Sequence, residues 1–204
     1  MMVINEDYWV GEKQRSKKTS TKHQILLCHT SCTINDYFTM ISTRYAGKYN
    51  KSFTYTIDLN GQIYQHFSPL HYSNLLNDPQ IDPQIISIGL ENVGQLMGKS
   101  DGDDFFDWKG AIYKGKVHGK LWRNHHSWAE YSAKQTESML WLIKVIINAH
   151  HIEPNFSGNN LPLLGVKKFN GVLTRSNYHK FYYDLSPAMD FEKINTYIKT
   201  ECDG

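Results

Sequence analysis

The chain has 204 residues, of which 40% are hydrophobic and 13% aromatic, and its formal net charge is +2. This composition excludes a disordered chain and is sufficient for one domain with a substantial core. The small net charge gives no argument for nucleic-acid binding, and no apolar run in the sequence is long enough to span a membrane. The cysteines are odd in number, which favours reduced thiols: Cys28, Cys32 and Cys202.

Polar residues dominate positions 1–22, and we expect the folded domain to comprise residues 23–204. The opening sequence MMVINEDYWV is too polar for a signal peptide. We therefore expect synthesis in the cytoplasm, with a separate route of release if the protein acts outside the cell.

A strand followed by a helix is predicted at the start of the domain. Residues 23–30 (HQILLCHT) form a short apolar run with polar ends, which is typical of a buried strand. In residues 33–47 the apolar positions recur at helical spacing, and Gly47 can end the helix. His29 lies at the strand end between two cysteines, so it is either a metal ligand or an ordinary strand-end residue.

Residues 52–67 predict a β-hairpin. Aromatic and aliphatic residues alternate with threonines in the first strand, and Asn60-Gly61 tolerates the positive φ angles of a tight turn. Residues 85–93 (IISIGLENV) predict a further buried strand.

Residues 96–130 are rich in glycine and aromatic residues and have no clear periodicity, so we interpret them as an insertion. Residues 132–152 predict the longest helix, with a Ser-x-x-Gln capping box and one apolar stripe. A last strand at 169–176 and a last helix at 186–199 follow.

This order of elements predicts a single α/β domain with a central mixed β-sheet flanked by helices. We expect the helix of residues 132–149 to pack on the sheet. The strands expected in the sheet are 25–29, 53–58, 62–66, 86–91 and 170–174.

Four stretches in this order resemble the zinc-dependent N-acetylmuramoyl-L-alanine amidases, a superfamily that includes the peptidoglycan recognition proteins and the phage lysozyme-amidases. ILLCHTS (25–31) is similar to the first strand of that family, and SFTYTIDLNGQIYQ (52–65) is similar to its hairpin. ISIGLENVG (86–94) is similar to its Ser-Ile-Gly-Ile-Glu strand, and YYDLSPAMDF (182–191) to the segment before its last helix.

The resemblance implies an amidase-like fold over residues 23–199, built around a zinc ion. In that family two histidines and an aspartate or cysteine hold the zinc, which activates a water molecule and polarises the scissile amide. In this sequence His29 matches the first histidine and Asp184 the third ligand. Glu91 matches the glutamate of the fourth strand and is a candidate catalytic residue.

The position of the second histidine is filled differently in this chain. It corresponds to Arg175 or Thr174, and an arginine cannot coordinate a metal. The candidates for a substitute zinc ligand are His179, then Cys32, then His71. Arg175 is expected either to form a structural ion pair or to bind a carboxylate of the ligand.

Four aromatic residues complete the predicted site. Tyr182 stands where the family has a lysine, and Tyr55 lies near the family's hairpin tyrosine, whose own position is Phe53 here; both tyrosines are candidate catalytic residues. Trp108 and Trp122, in the insertion, are expected either to bind ligand by stacking on sugar rings or to pack on the long helix.

We therefore expect a peptidoglycan hydrolase that cleaves the amide between N-acetylmuramic acid and L-alanine, in the manner of a phage-type lytic enzyme. The alternative is a catalytically inactive protein of the same fold that binds a muropeptide or another small anionic ligand, with Arg175 replacing the positive charge of the metal. Zinc content distinguishes the two hypotheses.

Overall fold

The computed structural model describes residues 2–98 and 104–202. The β-strands, in chain order, are β1 (Ile4–Asn5), β2 (Gln24–His29), β3 (Tyr55–Ile57), β4 (Ile63–Gln65), β5 (Ile85–Leu90), β6 (Met97–Gly98), β7 (Phe105–Phe106), β8 (Ile112–Tyr113), β9 (Val117–Trp122), β10 (His125–Ala129) and β11 (Gly171–Thr174). The α-helices are α1 (Ile34–Thr43), α2 (Ala133–His150) and α3 (Phe191–Glu201). Short 3-10 helices span Glu12–Gln14, Asp82–Gln84, Val166–Lys168 and Arg175–Asn177.

A mixed sheet forms the centre of the fold, with strand order β1-β4-β3-β5-β2-β11. Strands β3, β5, β2 and β11 run parallel, β4 pairs antiparallel with β3, and β1 pairs parallel with β4. All five expected strands lie in this sheet, so the predicted α/β class is confirmed. Strand β1 was not predicted. The segment that contains it, within residues 1–22, packs on the domain, and its residues Val10, Gln14 and Lys22 are buried.

The two faces of the sheet are covered by different helices. Ile25 and Leu27 of β2 belong to one apolar cluster with residues of α2 and α3. Leu26 and Cys28 belong to a second cluster with residues of α1, so β2 is buried on both faces as its sequence predicts. The interpretation of Cys28 as a core residue is confirmed, because its side chain has no exposed surface.

Helix α2 begins as its capping sequence predicts, and it holds two strand ends. The Ser132 hydroxyl accepts the backbone N–H of Gln135 at 3.0 Å. The Gln135 side chain does not complete the capping box. Its amide donates instead to the carbonyl oxygens of Ile57 and Glu91, which ties the first turn of α2 to the ends of β3 and β5.

The predicted hairpin is confirmed, and its turn supports α2. Gly61 has φ of +83°, and a Cβ atom there would lie 2.8 Å from the Lys134 carbonyl oxygen. The Ser138 hydroxyl donates to the Gly61 carbonyl at 2.7 Å. Only glycine therefore suits this position, for both conformation and space.

The insertion at 96–130 contains short strands rather than an irregular loop; its residues 99–103 lie outside the described residues. Strands β6, β7 and β8 form one small sheet, and β9 and β10 form a separate hairpin. Trp128 of β10 is fully buried and anchors this hairpin on the domain. No helix in the described ranges is long and apolar enough to cross a membrane.

Candidate functional site

The predicted site lies at the carboxyl ends of three parallel strands. His29 is the last residue of β2, Glu91 follows β5, and Arg175 follows β11. Carboxyl ends of parallel strands meet at one edge of a sheet, where ligand sites commonly form. Asp184 reaches this edge from the next loop, whose position is fixed by a hydrogen bond from the Ser176 N–H to the Asp184 carbonyl at 2.8 Å.

Arg175 and Asp184 form a buried ion pair at this edge. Arg175 Nε lies 2.8 Å from Asp184 Oδ2, and Nη2 donates to Oδ1 at 3.0 Å, so the guanidinium contacts both carboxylate oxygens. The Asp184 side chain is 1% exposed and that of Arg175 is 21% exposed. Burial disfavours the charge of Arg175, but the Asp184 carboxylate outweighs burial and raises the pKa of Arg175.

His29 lies beside this pair and has one nitrogen without a partner. Its Nε2 is 3.8 Å from Asp184 Oδ1, and its buried Nδ1 has no hydrogen-bond partner among the described residues. Burial lowers the pKa of His29, which favours the neutral imidazole. Gly94 packs on the ring, since a Cβ there would lie 2.9 Å from His29 Cε1. The structure therefore brings together His29, Arg175 and Asp184, three of the four residues predicted to cluster.

A groove of about 470 Å³ opens above these residues. We define the groove by its lining: His29, Thr30, Ser31, Cys32, Asp36, Tyr37, Met40, Arg44, Tyr49, Lys51, Phe53, Leu75, Trp108, Lys109, Arg175 and Tyr182. Aromatic rings and cations dominate this lining, a combination suited to a polar ligand that carries negative charge.

Glu91, the fourth predicted member of the cluster, lies elsewhere. Its carboxylate accepts the Leu59 N–H at 3.0 Å and lines a separate cavity of about 250 Å³ beside Asp107 and Glu130. Cys32 lines both the groove and this cavity, so the two adjoin. Glu91 therefore lines the cavity that adjoins the groove rather than the groove itself.

The two candidate catalytic tyrosines have different positions. Tyr182 lines the groove, and its ring centroid lies 4.7 Å from the Arg175 guanidinium carbon. Tyr55 is 5% exposed and belongs to the core cluster with α2, where burial raises its pKa to about 12. The chain bends at Thr54, before β3 starts, so Phe53 lines the groove while Tyr55 joins the core. The prediction that placed Tyr55 at the site is corrected by this bend.

The two candidate tryptophans also separate. Trp108 lines the groove, and its indole N–H donates to the Ser31 carbonyl at 2.6 Å, which holds the insertion against the strand end. Trp122 does not line the groove. Its ring packs on Trp128 at 5.3 Å and beneath the Arg123 guanidinium at 4.3 Å. Trp122 is therefore a packing residue, but it packs within the insertion and on Tyr183 rather than on the long helix as the alternative proposed.

Two of the three candidate substitute zinc ligands, His179 and His71, do not line the groove. His179 is exposed, and its ring contacts Phe181 and Tyr182. His71 interacts with the Lys18 carbonyl and does not line the groove. Cys32 does line the groove, where its thiol donates to the Thr30 carbonyl at 3.4 Å, and burial raises the pKa of this thiol to about 11.

The residues present do not fit a zinc ion. Both oxygens of Asp184 contact a guanidinium that already supplies the positive charge, and among the described residues His29 is the only histidine lining the groove. Within residues 2–98 and 104–202, no group of three or more histidine, cysteine, aspartate and glutamate side chains is arranged to hold a metal. Structural zinc sites use four protein ligands and catalytic sites three, so this donor set falls short.

Several groove residues were not predicted from the sequence. The segment from Arg44 to Lys51 contributes two cations and Tyr49, and α1 contributes Asp36, which binds Lys109 at 2.8 Å. The signal was present as alternating basic and aromatic residues in RYAGKYNK (44–51). It was missed because residues 44–47 were predicted to be the last turn of a helix over 33–47, whereas α1 ends at Thr43.

Comparison with known proteins identifies the fold. No protein-family model matches the sequence, and no curated protein matches it. Among solved structures, N-acetylmuramoyl-L-alanine amidase LysC from Clostridium intestinale URNW aligns with 98% of this chain and 99% of its own, with a TM-score of 0.60 and 11% identity. A mutant endolysin from Bacillus subtilis aligns over 98% of both chains, with a TM-score of 0.52 and 19% identity.

A third similar structure contains a ligand. It is the N-acetylmuramyl-L-alanine amidase AmiD from E. coli in complex with the substrate anhydro-N-acetylmuramic acid-L-Ala-D-gamma-Glu-L-Lys. The alignment covers 89% of this chain and 59% of AmiD, with a TM-score of 0.52 and 15% identity. The likeness to LysC and the B. subtilis endolysin extends over nearly the whole chain. The protein therefore has the fold of the superfamily of N-acetylmuramoyl-L-alanine amidases and endolysins.

Proposed function

We propose that this protein binds muropeptides, the sugar–peptide units of peptidoglycan, in the groove, and that it does so without zinc-dependent hydrolysis. The observation that carries the proposal is the Arg175–Asp184 ion pair. The guanidinium contacts both oxygens of the aspartate that the resemblance assigns as a metal ligand, and the arginine itself stands at or next to the position of a second ligand.

The groove has the size and chemistry for such a ligand. Its volume of about 470 Å³ lies within the usual range for small-molecule sites. Trp108, Tyr49 and Tyr182 offer aromatic faces for a sugar or a peptide plane. His29 Nδ1 is buried and unpaired among the described residues, so a ligand hydrogen bond would remove the cost of leaving it unsatisfied.

The second candidate function is the zinc-dependent amidase that the sequence resemblance implies. Two observations favour it: the amidase fold covers nearly the whole chain, and His29 and Asp184 lie side by side. Such an enzyme would have to separate Arg175 from Asp184, which costs about 3–5 kcal/mol for a buried pair, and recruit a third ligand. The intact pair therefore favours the binding protein. A phage origin and release of the protein to the cell wall stay predictions of the sequence.

A calorimetric titration tests the proposal. N-Acetylmuramoyl-L-Ala-D-Glu is titrated into the protein in buffer containing a chelator, and the ligand is then examined by mass spectrometry. We expect saturable binding and recovery of intact ligand. Trp108→Ala should weaken binding about tenfold through lost stacking. Trp9→Ala, at a 45% exposed tryptophan outside the groove, should have no effect.

Two results would contradict the proposal. The first is the absence of binding by the wild-type protein. The second is release of peptide from the ligand or from purified peptidoglycan after zinc is added, which would establish the amidase instead.

A further inference from the structure

The groove carries positive charge that no acidic side chain of the described residues neutralises. Four cationic side chains line the groove: Arg44, Lys51, Lys109 and Arg175. Lys109 is paired with Asp36 at 2.8 Å, and Arg175 is paired with Asp184. Neither Arg44 nor Lys51 has an acidic partner within residues 2–98 and 104–202.

One short segment, residues 44–51, brings both of these cations to the groove. Arg44 caps the C-terminus of α1, and its backbone N–H donates to the Met40 carbonyl. The next three residues, 45–47, all have left-handed φ angles of 54°, 54° and 72°. This tight reversal lets Tyr49 and Lys51 line the same groove as Arg44.

Arg44, one of the two cations without an acidic partner, packs on the ring of Tyr49. The Arg44 guanidinium carbon lies 5.1 Å from the centroid of the Tyr49 ring. Burial raises the pKa of Tyr49, and the charges of both Arg44 and Arg175 oppose that increase. Arg44 is exposed and packs on this half-buried ring, whereas the Arg175 side chain is only 21% exposed.

We infer that Arg44 and Lys51 bind a carboxylate of the muropeptide's peptide, and that Arg175 does not. This inference rests on the proposed function and identifies which part of the groove recognises the ligand's charge. An arginine fork suits a carboxylate geometrically, and the Tyr49 ring shields one side of the guanidinium from water. Arg175 cannot take this role, because its two contacts with Asp184 already use its charge.

A pair of ligands that differ only in charge tests the inference. N-Acetylmuramoyl-L-Ala-D-Glu with both carboxylates free is compared by calorimetry with the same molecule carrying both as amides. The wild-type protein should bind the dicarboxylate about tenfold more tightly than the diamide, since a charge-assisted hydrogen bond contributes on this scale. Arg44→Gln and Lys51→Gln should each reduce that preference, because they weaken dicarboxylate binding more than diamide binding.

The matched control is Lys48→Gln. Lys48 lies in the same segment and is exposed, but it does not line the groove. This variant should keep the full preference for the dicarboxylate. A titration with inorganic phosphate distinguishes a carboxylate site from a phosphate site, and we expect no competition at millimolar phosphate.

The outcomes separate the two proposals. Equal binding of both ligands by the wild-type protein would leave muropeptide binding in place and overturn only the carboxylate site. An unchanged preference in Arg44→Gln and Lys51→Gln, or displacement of the dicarboxylate by phosphate, would also overturn it. Failure of both ligands to bind would refute the proposed function and this inference together.

Discussion

Removing Arg175 should destabilise the fold strongly, because it leaves a buried carboxylate without its partner. The Asp184 side chain is 1% exposed, and Arg175 makes contacts of 2.8 and 3.0 Å with its two oxygens. In Arg175→Met the nearest remaining donor is the His29 backbone N–H at 3.4 Å. Breaking a buried pair from one side costs about 3–5 kcal/mol, which lowers the melting temperature of a domain this size by about 6–20 °C.

Removing Asp184 instead of Arg175 should destabilise the fold less. Arg175 is 21% exposed, so in Asp184→Leu its guanidinium can turn partly towards water. The double variant Arg175→Met/Asp184→Leu removes both charges, and such replacements are often close to neutral, within about 2 kcal/mol. The two single effects should therefore not add, and the coupling energy should be favourable to the pair.

Urea unfolding followed by circular dichroism measures these differences. The wild type, the two single variants and the double variant are compared with Lys48→Met, an exposed lysine that serves as the control. The reasoning is refuted if Arg175→Met costs less than about 1 kcal/mol, the level expected of an exposed ion pair. It is also refuted if the double variant costs the sum of the single variants.

Three further predictions follow from individual contacts. Gly94→Ala should lower the free energy of unfolding by about 1–3 kcal/mol and weaken muropeptide binding. Gly94 has φ of +80°, and a Cβ atom at this position would lie 2.9 Å from the His29 ring. Thermal unfolding measures the first effect and calorimetry the second. Burial lowers the pKa of His66 to about 4, so the free energy of unfolding should be highest above about pH 6.5 and should fall by up to about 3 kcal/mol as the pH falls towards 4. The urea midpoint should therefore depend on pH across this range, and His66→Gln should reduce that dependence. An equal pH dependence in the variant would contradict this role of His66. Burial raises the pKa of Cys32 to about 11, so this thiol should react with iodoacetamide at pH 8 at least tenfold more slowly than a free thiol of pKa about 8.5. A comparable rate would contradict the burial of this thiol.

The elements of the fold that periodicity could reveal were predicted well. Helix α2 is long and has one apolar stripe, and its predicted start agrees with the Ser132 cap. The hairpin follows from Asn60-Gly61, whose glycine has the positive φ that such a turn requires. In the insertion, β6, β7 and β8 were missed because they have two residues each, too few for an alternation to be recognised. Strands β9 and β10 have six and five residues, but their sequences, VHGKLW and HHSWA, do not alternate between apolar and polar residues.

The site was predicted in part, and the errors have local causes. His29 and Asp184 were matched by motif, and they lie together because both belong to one end of the parallel sheet. Tyr55 was misplaced because the bend at Thr54 leaves no mark in an alternating sequence. The sequence could not decide whether Arg175 forms an ion pair or contacts a ligand, because both roles require the same residue type at the same position.

Metal analysis after dialysis against zinc tests the central claim most directly. The purified protein is equilibrated with a small excess of zinc, dialysed against metal-free buffer and analysed for zinc per chain. Because Arg175 holds both oxygens of Asp184, we predict far less than one zinc per chain. One zinc per chain that is retained in the wild type and lost in His29→Ala would contradict the account and identify the groove as a metal site.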